Sequence, residues 1–125
     1  MTNAADELKT LRARVEAEID AYVYSLPEGA IGNPWPSNKV SRLLNEFRQA
    51  LVDPYLTDVE IRDTFEQVKL DQGPRQRCIV VADNREGYYL LYDPNAHDFF
   101  LAQKVKGILI SLGVRGDAVG CFLAI

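Results

Sequence analysis

Beyond residue 76 the chain repeats one pattern: a short run of apolar and β-branched residues, a cluster of turn formers, then another run. Arg77-Cys78-Ile79-Val80-Val81-Ala82 leads into Asp83-Asn84-Arg85-Glu86-Gly87, and Tyr88-Tyr89-Leu90-Leu91-Tyr92 into Asp93-Pro94-Asn95-Ala96-His97-Asp98. Residues 99–105 form a third run. Runs of this length between Gly, Pro, Asn and Asp read as strands of an antiparallel meander. Residues 108–114 and 118–125 read as a further hairpin turning at Arg115-Gly116-Asp117.

These strands do not alternate cleanly between apolar and polar residues. Ile79 and Val81 oppose Cys78, Val80 and Ala82; Tyr89 and Leu91 oppose Tyr88, Leu90 and Tyr92; Phe99 and Phe100 point to opposite faces. A sheet with one face in water would alternate. Both faces of this one need cover.

The N-terminal part supplies helices. Leu8, Leu11, Val15, Ile19 and Tyr22 recur at three- and four-residue steps, and charged residues fill the other faces. This predicts a helix over about 4–26, ended by Pro27 and Gly29, with a loop over 28–36. Ser37 is the expected N-cap of a second helix over 37–52, whose stripe is Val40, Leu43, Leu44, Phe47 and Leu51. Pro54 biases Asp53 against helical geometry and ends it there.

The order points to one α+β domain spanning all 125 residues, with two N-terminal helices on a four- to six-stranded antiparallel sheet, the strands mainly within 56–125. Five strands about 4.8 Å apart make a sheet roughly 24 Å wide. Two helices of about 10 Å diameter cover one face of it. The second face then curls on itself, lies under irregular segments, or meets a partner, a homodimer included.

Between helices and sheet lies the charge. Residues 53–71 hold six acids (Asp53, Asp58, Glu60, Asp63, Glu66, Asp71) against Arg62 and Lys69, which equals the whole formal net charge of −4. Val59 and Ile61 alternate as in a strand, which predicts one over about 56–62. The competing helical reading has Thr57-x-x-Glu60 as a capping box and Ile61, Phe65 and Val68 at helical spacing. Either conformation brings carboxylates together.

Such a cluster has three readings: a solvated face, a surface for a basic protein partner, or a cation site. The leading expectation is a non-enzymatic cytosolic binding protein that offers Asp58, Glu60, Asp63 and Glu66 to a basic partner. Trp35, held between Pro34 and Pro36, would be an aromatic anchor or a core-edge plug. The alternative is a Ca²⁺-binding or buffering protein using Asp53, Asp58, Glu60, Asp63 and Glu66. In size, acidity and lack of catalytic motifs the chain resembles small bacterial sequestering proteins such as toxin-immunity proteins and effector chaperones, a likeness of composition.

Other chemistry finds little support. No basic cluster suits nucleic acid, Arg75 and Arg77 being the densest pair. The start has no basic flank before an apolar run, so a cytosolic, membrane-free setting is expected, with Cys78 and Cys121 as free thiols in apolar runs. Residues 107–125 are long enough to span a bilayer, but Arg115 and Asp117 interrupt them. The loop Asp93 to Asp98 with His97 is the second alternative, a small enzyme's site; as a calcium loop it fails, having Asp98 and Lys104 where glycine and glutamate belong. The glycines around 107–120 lack the strand-loop-helix order of a phosphate cradle.

Overall fold

Leu11, Val15 and Ile19 form the buried stripe of α1 (Ala4–Ala21), in a computed structural model that describes residues 4–24, 32 and 34–125. The helix stops five residues before the expected 26. The Tyr22 amide closes it with a three-residue bond to the Ile19 carbonyl at 3.3 Å, and the chain turns so that the Tyr24 ring stacks on Trp35 at 5.5 Å. Pro27 and Gly29, the expected terminators, lie outside the described residues. In α2 (Ser37–Ala50) the cap position belongs to Pro36, without a side-chain cap, and Ser37 is the first helical residue. Proline pre-sets the φ at which the chain enters the helix, but the side-chain cap expected of the serine is not made. The amides of Lys39 and Val40 both donate to the Pro36 carbonyl.

Strand β1 (Leu51–Glu60) follows without a loop, so the second helix ends before Val52 and the strand begins earlier than the expected 56. Pro54 sits in an irregular stretch between Leu51 and Tyr55, where β1 loses register with its neighbour. A five-residue helix, α3 (Phe65–Lys69), then completes the acidic segment. Residues 53–71 are thus strand and helix in succession. The capping box is Thr64-x-x-Gln67, not Thr57-x-x-Glu60: Thr64 accepts the Gln67 amide, and the Gln67 side chain accepts the amides of Asp63 and Thr64.

The meander is as expected through β2 (Arg75–Asp83), β3 (Tyr88–Asp93), β4 (Asp98–Val105) and β5 (Ile108–Gly116), each antiparallel to the last. The tight β4–β5 turn places Lys106 and Gly107 both at positive φ, the geometry that matches strand twist. The sheet then closes. β5 pairs in parallel with β1 through Val59↔Leu109 and Glu60↔Ile110, giving a five-stranded barrel. An odd number of up-and-down strands makes that closing pair parallel.

Closure explains the failed alternation. Val59, Ile61, Cys78, Val80, Leu91, Phe100, Ala102 and Leu109 fill the barrel. Val81, Ala82, Leu90, Phe99 and Leu101 face outward and pack under the helices. Phe99 and Phe100, like Leu90 and Leu91, therefore enter different cores. Of the three alternatives for the second face, the sheet curling on itself is the one found: that face is the barrel interior.

The C-terminal hairpin is also corrected. Residues 118–125 do not return as a strand; α4 (Ala118–Leu123) forms instead and adds a third helix to the outer layer. Asp117 caps it by accepting the Gly120 amide, while Glu18 of α1 accepts the Ala118 amide. Val119, Cys121 and Phe122 are buried, with Phe122 stacked on Phe47 at 4.3 Å.

Candidate functional site

The fold divides the acids of residues 53–71 instead of gathering them. Asp53 reaches back to Arg12 of α1 at 2.7 Å. Glu60 is held by Arg62 Nε at 2.6 Å, and Arg62 also donates to the Asp71 carbonyl at 2.8 Å. Asp63 pairs with Arg115 of β5 at 2.9 Å. Asp58 on β1 and Glu66 on α3 are exposed and have no ion pair among the described residues. No group of three His, Cys, Asp or Glu side chains among the described residues is placed to hold a metal ion. Trp35 lies elsewhere, half-buried at the junction of the first two helices, with the Lys39 ammonium 4.2 Å from its ring.

Arg115 is the residue that sequence reasoning missed. It projects from β5 at one end of the barrel, its guanidinium 4.7 Å from the centre of the Phe100 ring. Nη1 donates to Asp93 at 3.1 Å and Asp98 at 2.9 Å, while Nε donates to Asp63 at 3.0 Å. The reason lies in register. Asp93 and Asp98 are directly opposed across the β3–β4 hairpin, where like charges repel unless a cation sits between them. Arg115 supplies it, and in joining Asp63 ties the acidic segment to the barrel.

Asp93 also accepts the amides of Asn95 and Ala96 and the side chain of Gln76. Burial pushes its pKa up, but these hydrogen bonds and Arg115 together outweigh burial and hold the carboxyl below its ordinary value. A depressed folded pKa contributes stability that is present above the unfolded value, about 3.9, and lost as pH falls through the folded one. The urea midpoint should therefore fall below pH 4, and less steeply in Asp93→Asn. Parallel pH profiles for the two proteins would contradict this.

The 93–98 loop spends its groups on structure. His97 adopts positive φ, donates its amide to the Asp93 carbonyl at 2.8 Å, and has Nδ1 3.3 Å from the Tyr92 hydroxyl. Both cysteines are buried and unpaired; burial pushes the Cys78 thiol up to about 12 and Cys121 up to about 11. They are protonated at neutral pH and are weak nucleophiles.

Helix α3 does the opposite of everything else: it buries nothing. Phe65 is 84 % exposed, Val68 57 % and Leu70 54 %. Yet the segment is fastened at both ends, by the capping box, by the Asp63–Arg115 pair and by the Ile61 amide on the Pro74 carbonyl at 2.8 Å. The signal available in sequence was the Thr64-x-x-Gln67 box just before Phe65 and Val68. Apolar side chains in water on an anchored backbone, beside the free carboxylate of Glu66, are suited to binding.

Comparison with family models, curated proteins and solved structures finds no match to the chain. Its class is set by structure alone, a closed five-stranded barrel with three helices packed on its outer face. Function is then read from the site.

Proposed function

We propose that this chain is a non-enzymatic protein-binding domain that captures a basic partner through residues 53–71, in a sequestering, immunity or chaperone-type role. The observation that carries the reading is the exposure of Phe65 and Val68 on a helix already fixed in place, and of Leu70 at its C-cap. A backbone already anchored loses little entropy on association, so burial of these side chains is available for affinity. Asp58 and Glu66 stay free to meet Lys and Arg and to speed encounter. Glu60 and Asp63 are positioning residues, since their charges are already met by Arg62 and Arg115. The proposed setting is the cytosol, in keeping with the two unpaired thiols. No helix among the described residues is long and apolar enough to cross a membrane.

The test is Phe65→Ser combined with Val68→Ser. These side chains touch no core, so the melting temperature should move by no more than about 2 °C. Capture of the basic partner by immobilised protein in native extract, quantified by mass spectrometry, should drop at least ~10-fold, about 1.4 kcal/mol. Glu66→Lys should reduce capture most at low salt. Unchanged capture by the double variant would remove α3 from the reading.

A further inference from the structure

The two ends of the barrel are finished differently. At one, the Arg115 guanidinium lies over Phe100 and its charge is met by Asp63, Asp93 and Asp98. The other end gathers the start of β1, the end of β2, the start of β3 and the β4–β5 turn. Register identifies what points inward there. Tyr55 lies opposite Val80, Thr57 opposite Cys78, Tyr89 opposite Ala102 and Lys104 opposite Leu109, and each of those four partners belongs to the barrel interior. Directly opposed residues share a face. Three hydroxyls and an ammonium therefore continue the apolar interior toward solvent. None of these side chains has a hydrogen bond or ion pair among the described residues, Lys104 having only the Tyr89 ring at 5.9 Å.

These four line a cleft of about 330 Å³, which Arg75, also without an ion pair, reaches from the outer face. The carboxylates nearby do not cancel the two cations. Glu60 is held by Arg62 at 2.6 Å, Asp58 lies on the outer face directly opposite Arg77, and Asp83, opposite Tyr89, accepts the Arg85 amide at 2.8 Å. Among the groups that line the cleft or face those that do, Arg62, Arg75, Arg77 and Lys104 stand against Asp58, Glu60 and Asp83. That is a local excess of +1 in a chain whose net charge is −4. Ammonium and guanidinium groups only donate. Burial, with Tyr89 and Asp83 nearby, holds the Tyr55 phenol above its ordinary value, so it too keeps its proton. What the lining lacks is a negatively charged acceptor. Ile108, Leu109 and the tyrosine rings supply apolar walls, and barrel mouths of this size take small molecules.

We propose that this open mouth of the barrel binds a small aromatic anion, its charged group on Lys104 and Arg75 and its ring against Tyr89. The site is independent of the partner surface, since α3 is tied to the opposite, Arg115 end. The probes are benzoate and phenyl phosphate, with benzylammonium as a ring of opposite charge, titrated into the intact protein and followed by two-dimensional amide NMR. Either anion should give saturable shifts at Thr57, Tyr89, Lys104 and Gly107, larger at low salt, and the tighter of the two tells carboxylate from phosphate. Benzylammonium should give none. Lys104→Gln combined with Arg75→Gln should weaken anion binding at least ~10-fold; both side chains are exposed, so the melting temperature should hold. Tyr89→Phe keeps the ring, removes one donor and should weaken binding by a smaller factor. Asp58→Asn should not weaken it. Melting curves report whether the double variant folds, and Tyr89→Phe with the benzylammonium control carries the test if it does not. No saturable shift with either anion, benzylammonium binding as tightly as benzoate, or unaltered affinity in the folded double variant would each overturn the proposal. The Phe65→Ser, Val68→Ser protein should bind the anion as the parent does, so the two sites stand or fall separately.

Discussion

Replacing Arg115 by methionine should lower the stability of the domain by about 2–3 kcal/mol and its melting temperature by roughly 10 °C. Methionine keeps an unbranched apolar stem over Phe100 and removes the charge together with the donors to Asp63, Asp93 and Asp98. Asp63, Asp93 and Asp98 are then left facing one another without a cation. Asp93 suffers most, with a side chain only 4 % exposed. Breaking a fully buried pair costs more, about 3–5 kcal/mol; the figure here is smaller because Arg115 remains 23 % exposed and solvent screens part of the loss. Arg115→Lys should fall between the two, since an ammonium carries the charge but cannot bridge three carboxylates with fixed geometry. Near pH 3 the gap between parent and methionine variant should narrow as Asp93 begins to protonate and needs the cation less. Urea unfolding at pH 7 and pH 3 reads both effects, and a loss under 0.5 kcal/mol at pH 7 would show that the network holds nothing together.

Why this network escaped the sequence is instructive. The helix stripes were legible because each repeats locally: Leu11, Val15 and Ile19 are buried at their helical spacing. Adjacent pairs such as Phe99-Phe100 announced a sheet with two apolar faces. The closure that satisfies them depends on Val59 meeting Leu109, a pairing no local pattern encodes. Residues 118–125 misled because a continuous apolar run has no period to distinguish strand from helix. The decisive signal was Asp117 as an N-cap.

Net charge misled in a different way. It sums residues near in sequence, whereas electrostatic energy depends on partners near in space. Arg12 and Arg115, neither of them in the acidic segment, neutralise Asp53 and Asp63, and Arg62 within it turns back onto Glu60. What the segment leaves exposed is two carboxylates without an ion pair among the described residues and an apolar helix, and Phe65 carries no charge for a composition argument to notice.

The second large effect should come from Gly73→Ala. A methyl group on Gly73 would lie well inside contact distance of the Ile61 carbonyl oxygen and 2.8 Å from its carbon, both backbone atoms that cannot swing aside. Here glycine is needed for close approach and not for an unusual φ. The approach exists because the chain returns from α3 to pair with β1, the Ile61 amide on Pro74 and the Gln72 amide on the Gln67 carbonyl at 3.1 Å. Admitting the methyl means opening that return. Overpacking and a lost hydrogen bond together should cost about 2–4 kcal/mol. Gly107→Ala provides the contrast: its φ of +80° is strained for alanine, but nothing lies within 4 Å of the added atom, so about 1 kcal/mol is expected. A Gly73→Ala loss no larger than that of Gly107→Ala would deny the close approach. The two variants should also separate in function. Opening the return at residue 73 frees α3 to move, so Phe65 and Val68 must be ordered on binding and partner capture should weaken even at temperatures where the variant stays folded. Gly107→Ala, far along the chain from α3, should leave the contribution of Phe65 intact.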